Sequence, residues 1–177
     1  MITLAYFTHN DFDQLLKWLT TEELLMNWSG ALFHFPISRE SLEWYIKDVN
    51  DLKRSDAFLY KAVDETGNTI GHISLGNLSR KNRSARISRV LVGPQEQGKG
   101  YCCEMVTALL KIGFEQLHLH RIELGVYDFN KAAIRCYQKA GMTIEGTSRE
   151  SLYFKNGWWS LVEMSMLEEE WRHQAGK

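Results

Sequence analysis

The stretch Ile87-Ser88-Arg89-Val90-Leu91-Val92-Gly93-Pro94-Gln95-Glu96-Gln97-Gly98-Lys99-Gly100-Tyr101-Cys102 runs from a β-branched segment through a glycine-rich turn into an amphipathic one. Ile87 to Val92 reads as a strand. Beyond the turn, Met105, Leu109, Ile112 and Val106, Leu110, Gly113, Leu117 recur at helical spacing to about Leu119. Gly98 and Gly100 carry no Cβ, so an anion can approach the backbone closely at a helix N-terminus, where bare N–H groups and the helix dipole favour it. A strand, a turn of this kind and a helix make a phosphate cradle.

Gly93 to Lys99 also fits the nucleotide-binding pattern G-x-x-x-x-G-K, which fails at its last position. Gly100 stands where Ser or Thr would bind Mg²⁺, and no hydrophobic strand ending in Asp follows. The same residues read as Gln95-x-x-Gly98-x-Gly100. About thirty residues on lies Asn130-Lys131-Ala132-Ala133-Ile134-Arg135-Cys136-Tyr137-Gln138-Lys139-Ala140-Gly141-Met142. Together the two blocks resemble the acyl-CoA signature and the N-x-x-A-x-x-x-Y-x-x-x-G-F segment of the GCN5-related N-acetyltransferase (GNAT) family, with Met142 in place of the final Phe. The flanking pieces Gly71-His72-Ile73-Ser74-Leu75, Leu119-His120-Arg121-Ile122-Glu123 and Glu145-Gly146 resemble the branch that includes acetyltransferases of ribosomal-protein N-termini. The resemblance spans about residues 1 to 168 and is strongest from 84 to 147.

It implies an α/β (α+β) fold: a mixed, mostly antiparallel sheet of about seven strands flanked by helices, with a V-shaped splay between the fourth and fifth. The co-substrate it implies is acetyl-CoA, with no metal. Val90, Leu91 and Val92 would line the pantetheine arm, the N–H of Leu91 or Val92 polarising the thioester carbonyl. The amides of Gln97, Gly98, Lys99, Gly100, Tyr101 and Cys102 would hold the diphosphate, with Lys99 either a point charge near the nucleotide or a solvated turn lysine. Asn130 would cap its helix, bind the arm, or do both. Tyr137 is the expected general acid, since a phenol can protonate a departing thiolate of comparable basicity.

The strand before the turn, where family members often place a Glu, offers Ser88 and Arg89 instead. His72, His34 and Glu123 are base candidates by residue type alone, and an amine can also lose its proton through water. Residues 20 to 50 and the last hairpin would line the acceptor groove. Residues 1 to 56 carry nine carboxylates against five bases, a net of −4, which would welcome cationic acceptors or merely solvate helix faces. Trp28, Phe33, Phe35, Trp44 and Tyr45 read first as core. Trp158 and Trp159 fall on opposite faces of the last strand, and an exposed ring there would mark a groove or a homodimer contact.

Composition bounds the rest. The 177 residues are 44% hydrophobic and 24% charged, ordinary usage for one globular domain; together with the resemblance this implies a single N-acetyltransferase domain over residues 1–177. A net charge of −1 gives no case for a nucleic-acid or anionic membrane surface. No secretory signal or membrane span is read, and Cys102, Cys103 and Cys136 lack disulfide-framework spacing, so the cytoplasm is expected. Scattered histidines argue against a metal site.

Strands are expected at Met1 to Phe7, Ala57 to Val63, Thr69 to Asn77, 85 to 92, 121 to 126, 144 to 154 and 158 to 167, the last two joined at Asn156-Gly157. Helices are expected at Asp11 to Leu19, Thr21 to Asn27, Ser38 to Val49, after Gly100, and at 131 to 140. The leading functional expectation is acetyl transfer to a primary amine: a protein N-terminus, polyamine, aminoglycoside or other small amine. A non-catalytic acyl-CoA-binding sensor and a nucleotide hydrolase are the alternatives.

Overall fold

Alternation decides which way the strands face. In Arg121–Tyr127, Ile122, Leu124 and Val126 are buried, while Arg121, Glu123, Gly125 and Tyr127 are only half-buried, so one face packs and the other carries polar groups. The computed structural model describes residues 1–175. Its strands are β1 (Thr3–Tyr6), β2 (Phe58–Val63), β3 (Thr69–Ser79), β4 (Ser84–Val92), β5 (Arg121–Tyr127), β6 (Thr143–Phe154) and β7 (Gly157–Leu167). They form one sheet in the order β1-β2-β3-β4-β5-β7-β6, antiparallel except for β4 beside β5.

Two helical layers cover this sheet. On one face lie α1 (Phe12–Trp18), α2 (Glu22–Ser29) and α3 (Arg39–Tyr45), which bury Phe12, Leu15, Leu25, Trp28, Leu42 and Tyr45 against Leu59. Thr21 and Ser38 cap α2 and α3 by accepting from the N–H of Leu24 and Ser41. On the other face, α4 (Tyr101–Lys111) drives Met105, Val106, Leu109 and Leu110 into the larger core, each fully buried and contributing about 1.5–3 kcal/mol. Beside it lies α5 (Lys131–Lys139), while α6 (Glu168–Ala175) seals the end by stacking Trp171 on Phe114.

Some expected boundaries move. The third helix stops at Tyr45 rather than Val49, because Asp48 and Asn50 turn the chain with φ of 58° and 67°. The helix after Gly100 ends its regular winding at Lys111 and widens into a π turn over Ile112–Gln116, with Leu117 N–H donating to the Ile112 carbonyl. Gly113 in that turn lies directly against the Ile122 side chain. The last hairpin turns on Lys155 and Asn156, both at positive φ, so Gly157 opens β7 instead of sitting in the turn. Helix α6 was not expected, although Glu168, Glu169 and Glu170 at its start and Arg172 and His173 near its end suit the helix dipole.

The feature that positions the site is a split in the sheet. Strands β4 and β5 pair only from Ser84↔Arg121 to Ile87↔Leu124. Beyond that point β4 stays with β3, β5 stays with β7, and the gap opens. The β3–β4 register shifts by one residue between Ser74↔Ser88 and His72↔Leu91, which places a bulge at Arg89, whose φ is 51°.

Gly71 on β3 sits opposite Val92, and a Cβ there would lie 2.7 Å from both the Leu91 carbonyl oxygen and the Met105 sulfur. Gly71→Ala should therefore lower stability by about 1–3 kcal/mol in urea denaturation, because strand and helix must both give way. An unchanged midpoint would contradict this packing.

Candidate active site

The bulge is held by its carbonyl. Trp28 Nε1, from α2, donates to the Arg89 carbonyl oxygen at 2.9 Å, and His72 Nδ1, from β3, reaches the same oxygen at 3.0 Å. An acceptor carbonyl requires the proton on Nδ1, which makes Nε2 an unprotonated lone pair, and that atom is buried without a partner. Phe7, Trp28 and Tyr45 surround the ring. Burial pushes the His72 pKa from 6.5 down to about 4, the bond to Arg89 opposing that shift only in part.

Either side of the split is hollow. The larger cleft, about 1110 Å³, lies between β4, α4 and α5 and is lined by Val90, Leu91, Val92, Asn130, Cys136 and Tyr137 among others. At its far end are Gln97, Gly98, Gly100, Tyr101 and Cys102. Gly98 and Gly100 have φ of 79° and 88°, which a side chain disfavours, and a Cβ on either would meet no protein atom within 4 Å. The turn is thus left open, and among the described residues the Tyr101 and Cys102 amides at the start of α4 have no acceptor, whereas Cys103 N–H bonds to the Gly100 carbonyl. Lys99 is not part of the lining; its ammonium is exposed and donates to Glu96 Oε2 at 2.9 Å.

The smaller cavity, about 230 Å³, lies across the split between α2, β4 and β5, with Ser29, Arg86, Ser88, Arg89, Gly125 and Tyr127 in its walls. The two hollows share Asn27, Val90, Asn130 and Tyr137. Asn130 caps α5 by accepting from the Ala133 N–H at 3.2 Å. Tyr137 is 6% exposed, and its hydroxyl makes no hydrogen bond to any described residue. Burial first, and then the Cys102 and Cys136 thiols, push its phenol well above 10, so it stays protonated.

Strand alternation settles which β4 amide faces the split. The Gly93 N–H donates to the Ile70 carbonyl at 2.8 Å, so by period two the Leu91 N–H also turns toward β3 and the Val92 N–H turns away, into the gap.

None of the side chains considered as bases lines either hollow. His72 is in the core, His34 lies on an exposed loop, and Glu123 accepts from Arg86 and Arg121. The N-terminal carboxylates are engaged elsewhere too: Asp11 binds Lys61 at 2.7 Å, Asp13 binds Arg39, Glu22 meets Lys155, and Asp51 receives the amides of Lys53 and Arg54. Their excess charge does not reach the cavity. Trp28, Phe33 and Tyr45 are core, whereas Phe35 and Trp44 are exposed. Trp159 is the inward ring, against Tyr127, Phe129 and Phe154, and Trp158 is the exposed one. Sequence reasoning missed the Trp28 and His72 bonds to the bulge, for which no local pattern exists.

The profile of the acetyltransferase (GNAT) domain matches residues 2–143, and the chain belongs to that family, whose members take their acetyl group from acetyl-CoA. Among its relatives, the SPbeta prophage-derived uncharacterized N-acetyltransferase YokL of Bacillus subtilis is 29% identical over 88% of this chain and 84% of its own length. The spermidine N(1)-acetyltransferase of Vibrio cholerae is 27% identical over 63% of this chain and 64% of its own. The crystal structure of a Vibrio cholerae spermidine N-acetyltransferase in complex with CoA and spermine superimposes with a TM-score of 0.83 at 22% identity, covering 97% of this chain and 98% of that one.

His72 generates a pH prediction. Its folded pKa lies below the unfolded 6.5, so its full contribution is present above pH 6.5 and is lost as pH falls toward about 4, where the unfolded chain holds a proton that the folded chain refuses. The loss is on the order of 3 kcal/mol at most. Urea midpoints at pH 7 and pH 4.5 should converge in His72→Asn, which keeps a donor but cannot titrate. Parallel profiles in the two proteins would rule out this origin.

Proposed function

We propose that the chain, as a single N-acetyltransferase domain, moves the acetyl group of acetyl-CoA to a primary amine by direct attack. The observation that carries this reading is Tyr137, one buried phenol with an unbonded hydroxyl shared by the two hollows. The larger cleft takes the pantetheine arm along Val90, Leu91 and Val92, with the diphosphate on the amides of Gln97 to Cys102. Lys99, paired with Glu96, contributes long-range charge only. Asn130 both caps α5 and borders the arm.

Acetyl-CoA supplies an activated acyl carbon and a thiolate leaving group. The Val92 N–H stabilises negative charge developing on the carbonyl oxygen, a role worth a few kcal/mol for a preorganised donor. The amine nitrogen bonds to carbon, the carbon–sulfur bond breaks, and Tyr137 delivers its proton to the sulfur. Water takes the surplus proton from nitrogen, and the phenolate is reprotonated from solvent. Free CoA and an acetamide leave. With no carboxylate or imidazole lining the acceptor side among the described residues, kcat/KM should rise with pH through the amine's own pKa.

The acceptor lies within the small amines and peptide N-termini that such a cavity admits, and the acetylation of spermidine named for the Vibrio cholerae relative makes polyamines a natural comparison. Three unpaired cysteines favour a reducing compartment, the cytoplasm.

Purified protein should release CoA thiol from acetyl-CoA only when an amine is present. In Tyr137→Phe, kcat should fall on the order of 10²-fold or more while acetyl-CoA affinity is retained; an unchanged kcat would remove Tyr137 from the chemistry. For Gly100→Ala, strain at φ 88° and a methyl in the cradle should weaken acetyl-CoA binding about tenfold by calorimetry. Wild-type affinity there would overturn the cradle.

A further inference from the structure

The acceptor-side cavity is lined by two arginines and, among the described residues, by no carboxylate. Their situations differ. Arg86 is neutralised, its two terminal nitrogens donating to Glu123 at 3.1 Å and Glu163 at 2.9 Å. Arg89 has no carboxylate within ion-pair distance among the described residues. Its Nε donates to the Tyr45 hydroxyl at 2.8 Å, and its guanidinium lies 5.0 Å over that ring. Gly76 on β3 lies beside it, within van der Waals reach of Nη2.

Tyr45 and the bulge therefore fix the orientation of this cation while its two terminal nitrogens have no acceptor among the described residues. A half-buried guanidinium held this way is short of one negative charge, and its free end matches a carboxylate in bidentate geometry. Polycations suffer the opposite effect, since a second ammonium brought beside Arg89 is repelled at reduced screening.

Resting on the transferase reading above, we infer that Arg89 selects acceptors that carry a carboxylate close to the reacting amine, such as amino acids or short acidic peptides, and disfavours polyamines. One unpaired guanidinium balances one negative charge, which fits a carboxylate better than a phosphate dianion. A cavity of about 230 Å³ suits an acceptor of amino-acid size.

The test pairs amino acids and acidic dipeptides with their carboxamides, with spermidine as a third arm and phosphoethanolamine as a fourth. Wild-type kcat/KM should favour the acid over its amide at least tenfold and should exceed that for spermidine and phosphoethanolamine. The ratio should collapse toward one in Arg89→Gln and be largely restored in Arg89→Lys, which a merely structural role would not do. Tyr45→Phe, which loosens the guanidinium without removing its charge, should lower the ratio partway. Calorimetric binding of the N-acetylated acid and its amide to the CoA complex reads the same preference without turnover.

Equal values for acid and amide, or a preference for spermidine or phosphoethanolamine, would overturn the assignment. Acid-selective binding that depends on Arg89, with no turnover of any amine, would uphold the selectivity while removing the transferase reading. Turnover without acid preference would do the reverse.

Discussion

One carbonyl group organises the active side of this protein. The Arg89 oxygen is held by an indole N–H from α2 and an imidazole N–H from β3, at 2.9 and 3.0 Å, and the bulge it belongs to stands where β4 and β5 stop pairing. A bulge strengthens twist and redirects the strand beyond it. The extra residue leaves the Val92 N–H facing the gap and places the Arg89 side chain in the wall of the smaller cavity. Hydrogen bonds to a part-buried carbonyl are costly to lose, so they help fix the split as part of the fold.

The same bonds tie the two halves of the sheet's coverage together. Helices α1 to α3 form a separate aromatic core around Leu59, and Trp28 and His72 are its links to the bulge. On the opposite face, α4 and α5 build the larger cleft out of the main core. Each layer thus contributes walls to one of the two hollows, and Tyr137 borders both. A buried histidine that must remain neutral is the consequence of placing a polar donor among Phe7, Trp28 and Tyr45.

Charge at the site differs from charge in the surrounding sequence. The acidic N-terminal third uses its carboxylates for ion pairs with Lys61, Arg39 and Lys155 and for the turn at Asp51. Of the two arginines in the cavity wall, Arg86 is neutralised by Glu123 and Glu163, and among the described residues Arg89 has no ion-pair partner, so the charge left there is positive. Electrostatics at a small cavity depends on groups within a few ångströms, because exposed charges farther away are screened by water and salt.

Local chemistry carried much of this protein's design in readable form. Gly98 and Gly100 mark the cradle because only glycine adopts their backbone angles readily, period-two and helical patterns mark most elements, and the Asn130 to Met142 segment places Tyr137 on a helix. The unread parts depend on distant partners. The π turn answers to Gly113 lying against Ile122, and α6 to Trp171 reaching Phe114, contacts with no signature within either segment. The chain by itself determined the glycine turn before α4, the helix that carries Tyr137 and the missing strand carboxylate. Only the tertiary structure decided that His72 supports a carbonyl rather than accepting a substrate proton, that Val92 rather than Leu91 faces the gap, and that Arg89 stands uncompensated. Each of these depends on residues brought together across the sheet, where burial and strand pairing assign a role that residue type leaves open.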